Sequence, residues 1–236
     1  MEHMNPSRRP IILSLDAAGN ACSAALWAQA GIVAHRFEAM ERGHAEVLVP
    51  MAEAVVAETG FSQIDLVAVS TGPGAYTGLR IAIAVARGLG LALGVPVMGI
   101  GSLDVHLHAA RRAGAVGPVA VLLETKRSDF YFQAFGVDNT PLFEPAVVSA
   151  GDVKGLLAEK HIAALAGDAV DRFAGANVVA DAMGRYSQDA DAAIVAALAA
   201  ALAAQDDIGK IPPPRPMYLR PPDTTPPAAD RQRLRG

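Results

Sequence analysis

The sequence predicts an α/β protein of two similar lobes, and three observations carry that expectation. A chain of 236 residues, 52% apolar and 19% charged, is long enough for one large or two small cores and too hydrophobic to remain unfolded. Its first hundred residues alternate short apolar runs with longer amphipathic ones in the order βββαβαβ. The second half repeats the strand and helix candidates more loosely.

Residues 11–16 form an apolar run ending on an acid, and residues 21–27 and 31–37, with a glycine turn between them, complete a series of three hairpin strands. Residues 44–60 read as a helix, with Gly60 where a C-terminal cap belongs. A buried strand is expected at 66–70, a second helix at 77–94 with Thr77 as its cap, and a strand at 95–100. Beyond these, 118–124 and 129–137 predict a hairpin turning at Lys126-Arg127-Ser128. Helices are expected at 149–160 and 189–204, and short strands at 162–166 and 177–180. Eight of the 16 prolines lie between Pro212 and Pro227, which forbids helix there and predicts an extended surface run. The lobes are thus expected at 1–105 and 106–211, with 212–222 rejoining the first lobe and 223–236 forming a flexible basic tail.

Composition excludes several classes. Cys22 is the only cysteine, so neither an intramolecular disulfide nor a multi-thiolate zinc site is available, and a reducing, cytoplasmic setting is expected. The apolar runs at 88–103 and 192–204 are shorter than the ~20 residues a bilayer asks for, so no membrane span is expected. The net charge of −4 divides into −8 over residues 1–209 and +4 from Lys210 onward. An acidic body disfavours autonomous nucleic-acid binding. Alanine, with 48 copies, supplies much of the apolar mass, while aromatics make up only 5%.

The densest signal is Ser70-Thr71-Gly72-Pro73-Gly74-Ala75-Tyr76-Thr77-Gly78-Leu79-Arg80, between a predicted strand and a predicted helix. Its glycines permit either a tight turn with close backbone approach or a cradle of N–H groups for an anion; it has neither the ending of a P-loop nor the spacing of a dinucleotide fingerprint. The segment from Gly72 to Arg80 resembles the signature of the TsaB (YeaZ) family. The likeness extends to Leu15-Asp16 with the run from Ala21 to Trp27, to His44-x-x-x-Leu48-x-Pro50-Met51, to Gly94-x-Pro96-Val97-x-Gly99-x-x-Ser102-Leu103, and to Pro216-x-Tyr218-Leu219-Arg220.

That resemblance implies two RNase H-like lobes of the actin/Hsp70/sugar-kinase (ASKHA) type. It also implies a noncatalytic paralogue that dimerises with TsaD, joins TsaE in a larger complex, and supports threonylcarbamoyl transfer to N6 of adenosine 37 in tRNA. Contact with tRNA would be indirect, and a homodimer is expected in the partner's absence. No cofactor is required by the chain itself, with ATP or ADP and magnesium at a subunit junction. Two departures stand out: Ala17-Ala18 replace the usual hydroxyl after the first-strand aspartate, and Glu124-Thr125-Lys126-Arg127-Ser128-Asp129-Phe130-Tyr131 replaces Asp-Ala-Arg-x-x-Glu-x-Tyr.

No catalytic residue and no metal site are expected. His44 has Leu48 one turn on, and none of the remaining histidines forms an i, i+4 pair. Asp16, Gly72, Gly74 and Arg80 are the candidates for nucleotide contact. The alternative classes are an independent ATPase or kinase of the same fold, resting on Asp16 and the Gly72 loop, and a glycoprotease-like hydrolase, for which no nucleophile elbow is present. The helix at 77–94 carries Gly78, Ala82, Ala86 and Gly90 at i, i+4 spacing, a ridge for close packing against its own lobe or a partner. In the helix from His44, large apolar residues cover an arc of about 200°, more than one buried face needs. The expected partner interface is therefore His44, Val47, Leu48, Met51, Val55, Gly78, Ala82, Ala86, Arg87 and Gly90.

Overall fold

The computed structural model describes residues 9–29, 31–59, 63–176, 183–205 and 211–220. Strands β1 (Ile12–Asp16), β2 (Ala21–Ala28) and β3 (Gly31–Ala39) form the antiparallel series expected, followed by α1 (His44–Thr59), β4 (Leu66–Gly72), α2 (Tyr76–Leu93) and β5 (Val97–Gly101). The first sheet runs β3-β2-β1-β4-β5, with β4 and β5 parallel to β1. Period-two alternation splits its strands cleanly. Leu13, Leu15, Val67 and Val69 face α1 and α2, while Ile12, Leu66 and Ala68 face the opposite way.

A second sheet repeats the same order. Strands β6 (Val119–Glu124), β7 (Phe130–Phe135), β8 (Ala146–Val148), β9 (Ala164–Ala166) and β10 (Gly184–Tyr186) are arranged β8-β7-β6-β9-β10, again antiparallel on one side of the first strand and parallel on the other. Helices α4 (Ala150–Glu159) and α5 (Val170–Ala176) cover one face through Val153, Leu157 and Phe173. Ser149 caps α4 by accepting from the Asp152 amide. Two α/β lobes of one topology are therefore present.

Several elements escape the sequence reading. The strands β8 and β10 have three residues each and α5 has seven, too short to show a period. Helix α3 (Ser102–Arg112) is longer, and its Leu103, Leu107 and Ala110 spacing could have revealed it. Those residues pack on the second sheet, while Val105 joins the core beside the first, so α3 fills the space between the lobes. The strand expected at 177–180, the Gly60 cap and the 223–236 tail lie outside the described residues.

The C-terminal helix α6 (Ala192–Ala203) corrects the expected lobe boundary. Although its sequence falls in the second half, it packs on the first sheet, with Val195 and Ala199 in the core beside Ile12 and Leu66. Its start is tied to buried hydroxyls: Ser14 Oγ donates to the Ala192 carbonyl at 2.7 Å, and the Ala192 amide donates to Ser23 Oγ at 2.9 Å. Alanines let the helix lie close to the strands, which gives the alanine run a structural purpose. Residues 211–220 also return to the first lobe, where the Met217 amide donates to the Thr71 carbonyl at 2.7 Å.

Helix α2 is long and apolar enough by length and composition to cross a bilayer, but Gly78, Leu79, Ala82, Ile83, Ala86 and Gly90 are buried against the first lobe, as a core helix requires. Thr77 does not cap it. The N-cap position is Ala75, whose amide donates to the Ala18 carbonyl at 2.7 Å, and Thr77 is exposed in the first turn.

In the second lobe Arg111 holds two loops together. Its guanidinium donates to the carbonyls of Ala115, Gly117 and Gly136 and to Asn139 Oδ1, all between 2.8 and 3.1 Å. Arg111→Met keeps the aliphatic stem but leaves these acceptors to water, and is expected to lower unfolding free energy by about 2 kcal/mol in urea titration. An unchanged midpoint would show that water replaces the guanidinium without cost.

Candidate functional site: the interlobe cleft and the outer face of α2

A cleft of about 890 Å³ opens between the lobes, walled by Ala18, His44 and Gly74 on one side and by Lys126 and Asp168 on the other, with Tyr218 and Arg220 at its rim. The lining holds four acidic and four basic side chains besides His44, so it presents no net positive field to a polyanion.

Asp16 stands at the end of β1, fully buried and not among the lining residues. Both of its oxygens are engaged: Oδ2 accepts the Ser70 hydroxyl and Oδ1 accepts the Ala18 amide at 3.1 Å. Burial raises its carboxyl to about 6, and the charges of Asp191 and Asp189 add to the effect. Its structural work is to fix the turn at Ala17-Ala18. That turn decides how the glycine loop is used. A Cβ on Gly74 would collide with the Ala18 carbonyl oxygen, and one on Gly78 with that of Ala17. Gly72, at φ +104°, would bring a side chain to 2.9 Å from Leu79 and 3.0 Å from the Met217 carbonyl. Of the two readings of this loop, the geometry is that of close backbone approach. Electronegative carbonyls face the start of α2, where an anion would otherwise sit.

Glu124 ends β6 as Asp16 ends β1, and accepts from Arg172 Nε at 2.6 Å. Asp168 follows β9 and accepts the Glu124 amide at 2.9 Å; burial pushes its carboxyl up to about 6. The turn residue Lys126 reaches across the cleft, its Nζ donating to Asn20 Oδ1 at 2.6 Å. In the sequence Lys126 stands at the predicted hairpin tip, and Asp168 simply follows Gly167 after a short predicted strand. Their joint position depends on how the two sheets face one another.

The family described as "TsaD: tRNA N6-adenosine threonylcarbamoyltransferase" matches residues 30–210. "tRNA threonylcarbamoyladenosine biosynthesis protein TsaB" of Escherichia coli (strain K12) is 31% identical over 134 residues, covering 56% of this chain and 58% of that protein. The protein of the same description from Haemophilus influenzae is 31% identical over 123 residues, covering 51% and 52%. The chain belongs to the TsaB (YeaZ) family, within this TsaD-related group. It spans a little over half the length of the curated TsaB relatives it matches. A crystal structure from Pseudomonas aeruginosa, described as an uncharacterized protein with similarity to peptidase YEAZ, superposes with a TM-score of 0.78 at 26% identity, covering 89% of this chain and all of that one.

In this TsaB-family chain most of the residues expected at a partner surface are instead buried within the first lobe. Leu48, Met51 and Val55 are buried against the first sheet, and Val47 is half-buried at the edge of the same core. The ridge of Gly78, Ala82, Ala86 and Gly90 is also buried, and a Cβ on Gly90 would collide with Val97. The close packing that the ridge predicts is therefore made inside the lobe. The wide apolar arc of α1 has the same explanation, since Val47 and Val56 pack on the core beside Ile81 and Val85 of α2. His44 is buried, with Nε2 unpartnered among the described residues. Of the ten residues, Arg87 alone is exposed. It belongs to a different stripe, Arg80, Ala84, Arg87 and Leu91, which shares one face of α2 at i, i+4, i+7 and i+11 and is exposed at all four positions. Leu91 is 86% exposed.

Proposed function

We propose that this chain is a noncatalytic subunit of the machinery that places a threonylcarbamoyl group on N6 of tRNA adenosine 37. It docks a TsaD-type transferase through the outer face of α2 and the adjoining edge of α1, and supports the transferase's active arrangement. The observation that carries this reading is the self-filled start of α2, where the Ala17 and Ala18 carbonyls close on Gly78, Gly74 and the Ala75 amide and leave no cradle of N–H groups for a phosphate. An independent ATPase would also need Asp16 free to orient a nucleophile, whereas both its oxygens accept from Ser70 and Ala18.

Family membership supports the choice of partner, and the exposed Leu91 supports the choice of face. ATP or ADP with magnesium then belongs at the junction with the partner, beside Arg80 and Arg87, and TsaE joins the assembled pair. The same stripe serves a homodimer when the transferase is absent, and tRNA meets this subunit through its partner.

The test is Leu91→Asp combined with Arg87→Glu, both on the solvent side and expected to leave the melting temperature unchanged. Binding to the cognate transferase is expected to weaken at least tenfold by calorimetry, with tRNA modification falling in parallel. Wild-type affinity and modification in that variant would remove α2 from the interface.

A further inference from the structure

We infer that residues 211–220 form a clasp that holds the two lobes together across the mouth of the cleft, with Arg220 as its releasable end. The strap is anchored on the first lobe by three successive contacts. Pro214 is buried against Gly99, where a Cβ would lie 3.2 Å from the proline ring. The Met217 amide donates to Thr71 at 2.7 Å. Tyr218 lies on Tyr76 with ring centroids 5.1 Å apart, and its hydroxyl accepts from Arg80 Nε at 2.9 Å while the Arg80 guanidinium stacks 3.9 Å over the Tyr76 ring. Two residues further on, Arg220 crosses to the second lobe and pairs with Asp129 in the β6–β7 hairpin.

The two ends are unequal. The anchored end combines packing, a backbone hydrogen bond and a stacked cation, whereas the far end is one partly exposed ion pair. Asp129 is prepared for it, since Thr125 Oγ1 donates to its carboxylate at 2.7 Å and Arg172 Nη2 donates to its carbonyl at 2.9 Å. Beside that pair, the exposed Lys126 of the same hairpin tip donates to Asn20 across the cleft. Loss of the Arg220 pair therefore removes the strap's hold on the hairpin tip, so that the tip can draw away from the first lobe and widen the mouth of the cleft while α3 keeps the bases of the lobes packed. Because Arg80 is part of the outer stripe of α2, any occupant that draws Arg80 away from Tyr218 loosens the strap from its anchored side.

The experiment uses the full chain alone. Ala45→Cys and Ser128→Cys place spin labels on opposite sides of the cleft, and the wild-type Cys22 is buried and stays unlabelled. The clasped chain is expected to give one narrow distance distribution. Arg220→Ala is expected to broaden it toward longer distances and to speed amide exchange in residues 124–130 at least tenfold. Asp129→Asn, which keeps the Thr125 bond, gives the same change, and the double variant adds nothing further. Arg220→Lys restores most of the wild-type distribution, and Arg80→Met shifts it in the direction of Arg220→Ala by a smaller amount. Unchanged distances and exchange in Arg220→Ala, or additive effects of the two single variants, would overturn the clasp. The reading as a transferase partner would be untouched by that failure, since the free chain is measured.

Discussion

Gly78→Val is expected to unfold much of the first lobe at ordinary temperatures, with a loss of roughly 4 kcal/mol or more, because the new side chain must enter the space of the Ala17 carbonyl oxygen. The informative control is in the same helix. Gly88 has nothing within 4 Å of the position its Cβ would take, so Gly88→Ala gains helix propensity without a clash and should stabilise by about 0.5–1 kcal/mol. Gly78→Ala gains the same propensity, yet is expected to lose about 2 kcal/mol net, because backbone cannot move aside as a flexible side chain can. Urea titration of the two alanine variants separates the cases by sign. Equal stabilisation by both would mean that α2 does not approach the Ala17-Ala18 turn as closely as described, and the argument against a phosphate cradle would go with it.

Asp16→Asn is expected to stabilise the chain at pH 7.5 and to flatten its stability profile toward acid. The sign follows from the raised carboxyl. Folded Asp16 titrates near 6, against an ordinary 3.8, so the folded state holds a proton that the unfolded chain has released. Stability from this group is present in acid and is lost as pH rises from about 4 through 6. A gap of about two units corresponds to something on the order of 3 kcal/mol. Asp168, raised to about 6 by burial, acts in the same direction. His106 opposes them: buried on α3 with Nδ1 unpartnered, it is pushed down to about 4, so its contribution is lost as pH falls from 6.5 through 4. Burial also raises Asp104 and Asp189 and lowers His108, so the wild-type profile is a balance of carboxyls favouring acid and imidazoles opposing it, and the difference between variant and wild type isolates Asp16. Asn at position 16 keeps an acceptor for the Ala18 amide and carries no charge. Urea midpoints at about pH 7.5 and 5 are the measurement. A variant less stable at pH 7.5, with the wild-type slope intact, would show that Asp16 is charged at no cost in the folded protein.

Those two residues also mark how far the sequence could be read. Asp16 and the glycine loop stand out because their chemistry is concentrated in adjacent positions, and the first-lobe elements follow because each has a clear period or a clear turn. The direction of the α2 ridge was not legible. Small residues at i, i+4 spacing state that something comes close, and the Val97 side chain and Ala17 carbonyl that do so are distant in sequence or hidden in an unremarkable Ala-Ala pair. The outer stripe of Arg80, Ala84, Arg87 and Leu91 was equally present in the sequence, but mixed charge and apolar character makes such a stripe look like ordinary solvent surface until the opposite face is known to be buried.

By itself the sequence determined the α/β class, the repeated lobe, the family, and the segment around which any site must be built. Local propensity, turn chemistry and motif spacing are properties of neighbouring residues, so they survive without coordinates. Only the tertiary structure decided that α6 belongs to the first lobe, that the glycines of the loop are filled by the chain's own carbonyls, and that Arg220 meets Asp129 across the cleft. Each of these joins segments far apart along the chain, and what selects them is the burial of one apolar face against another, which no local pattern specifies.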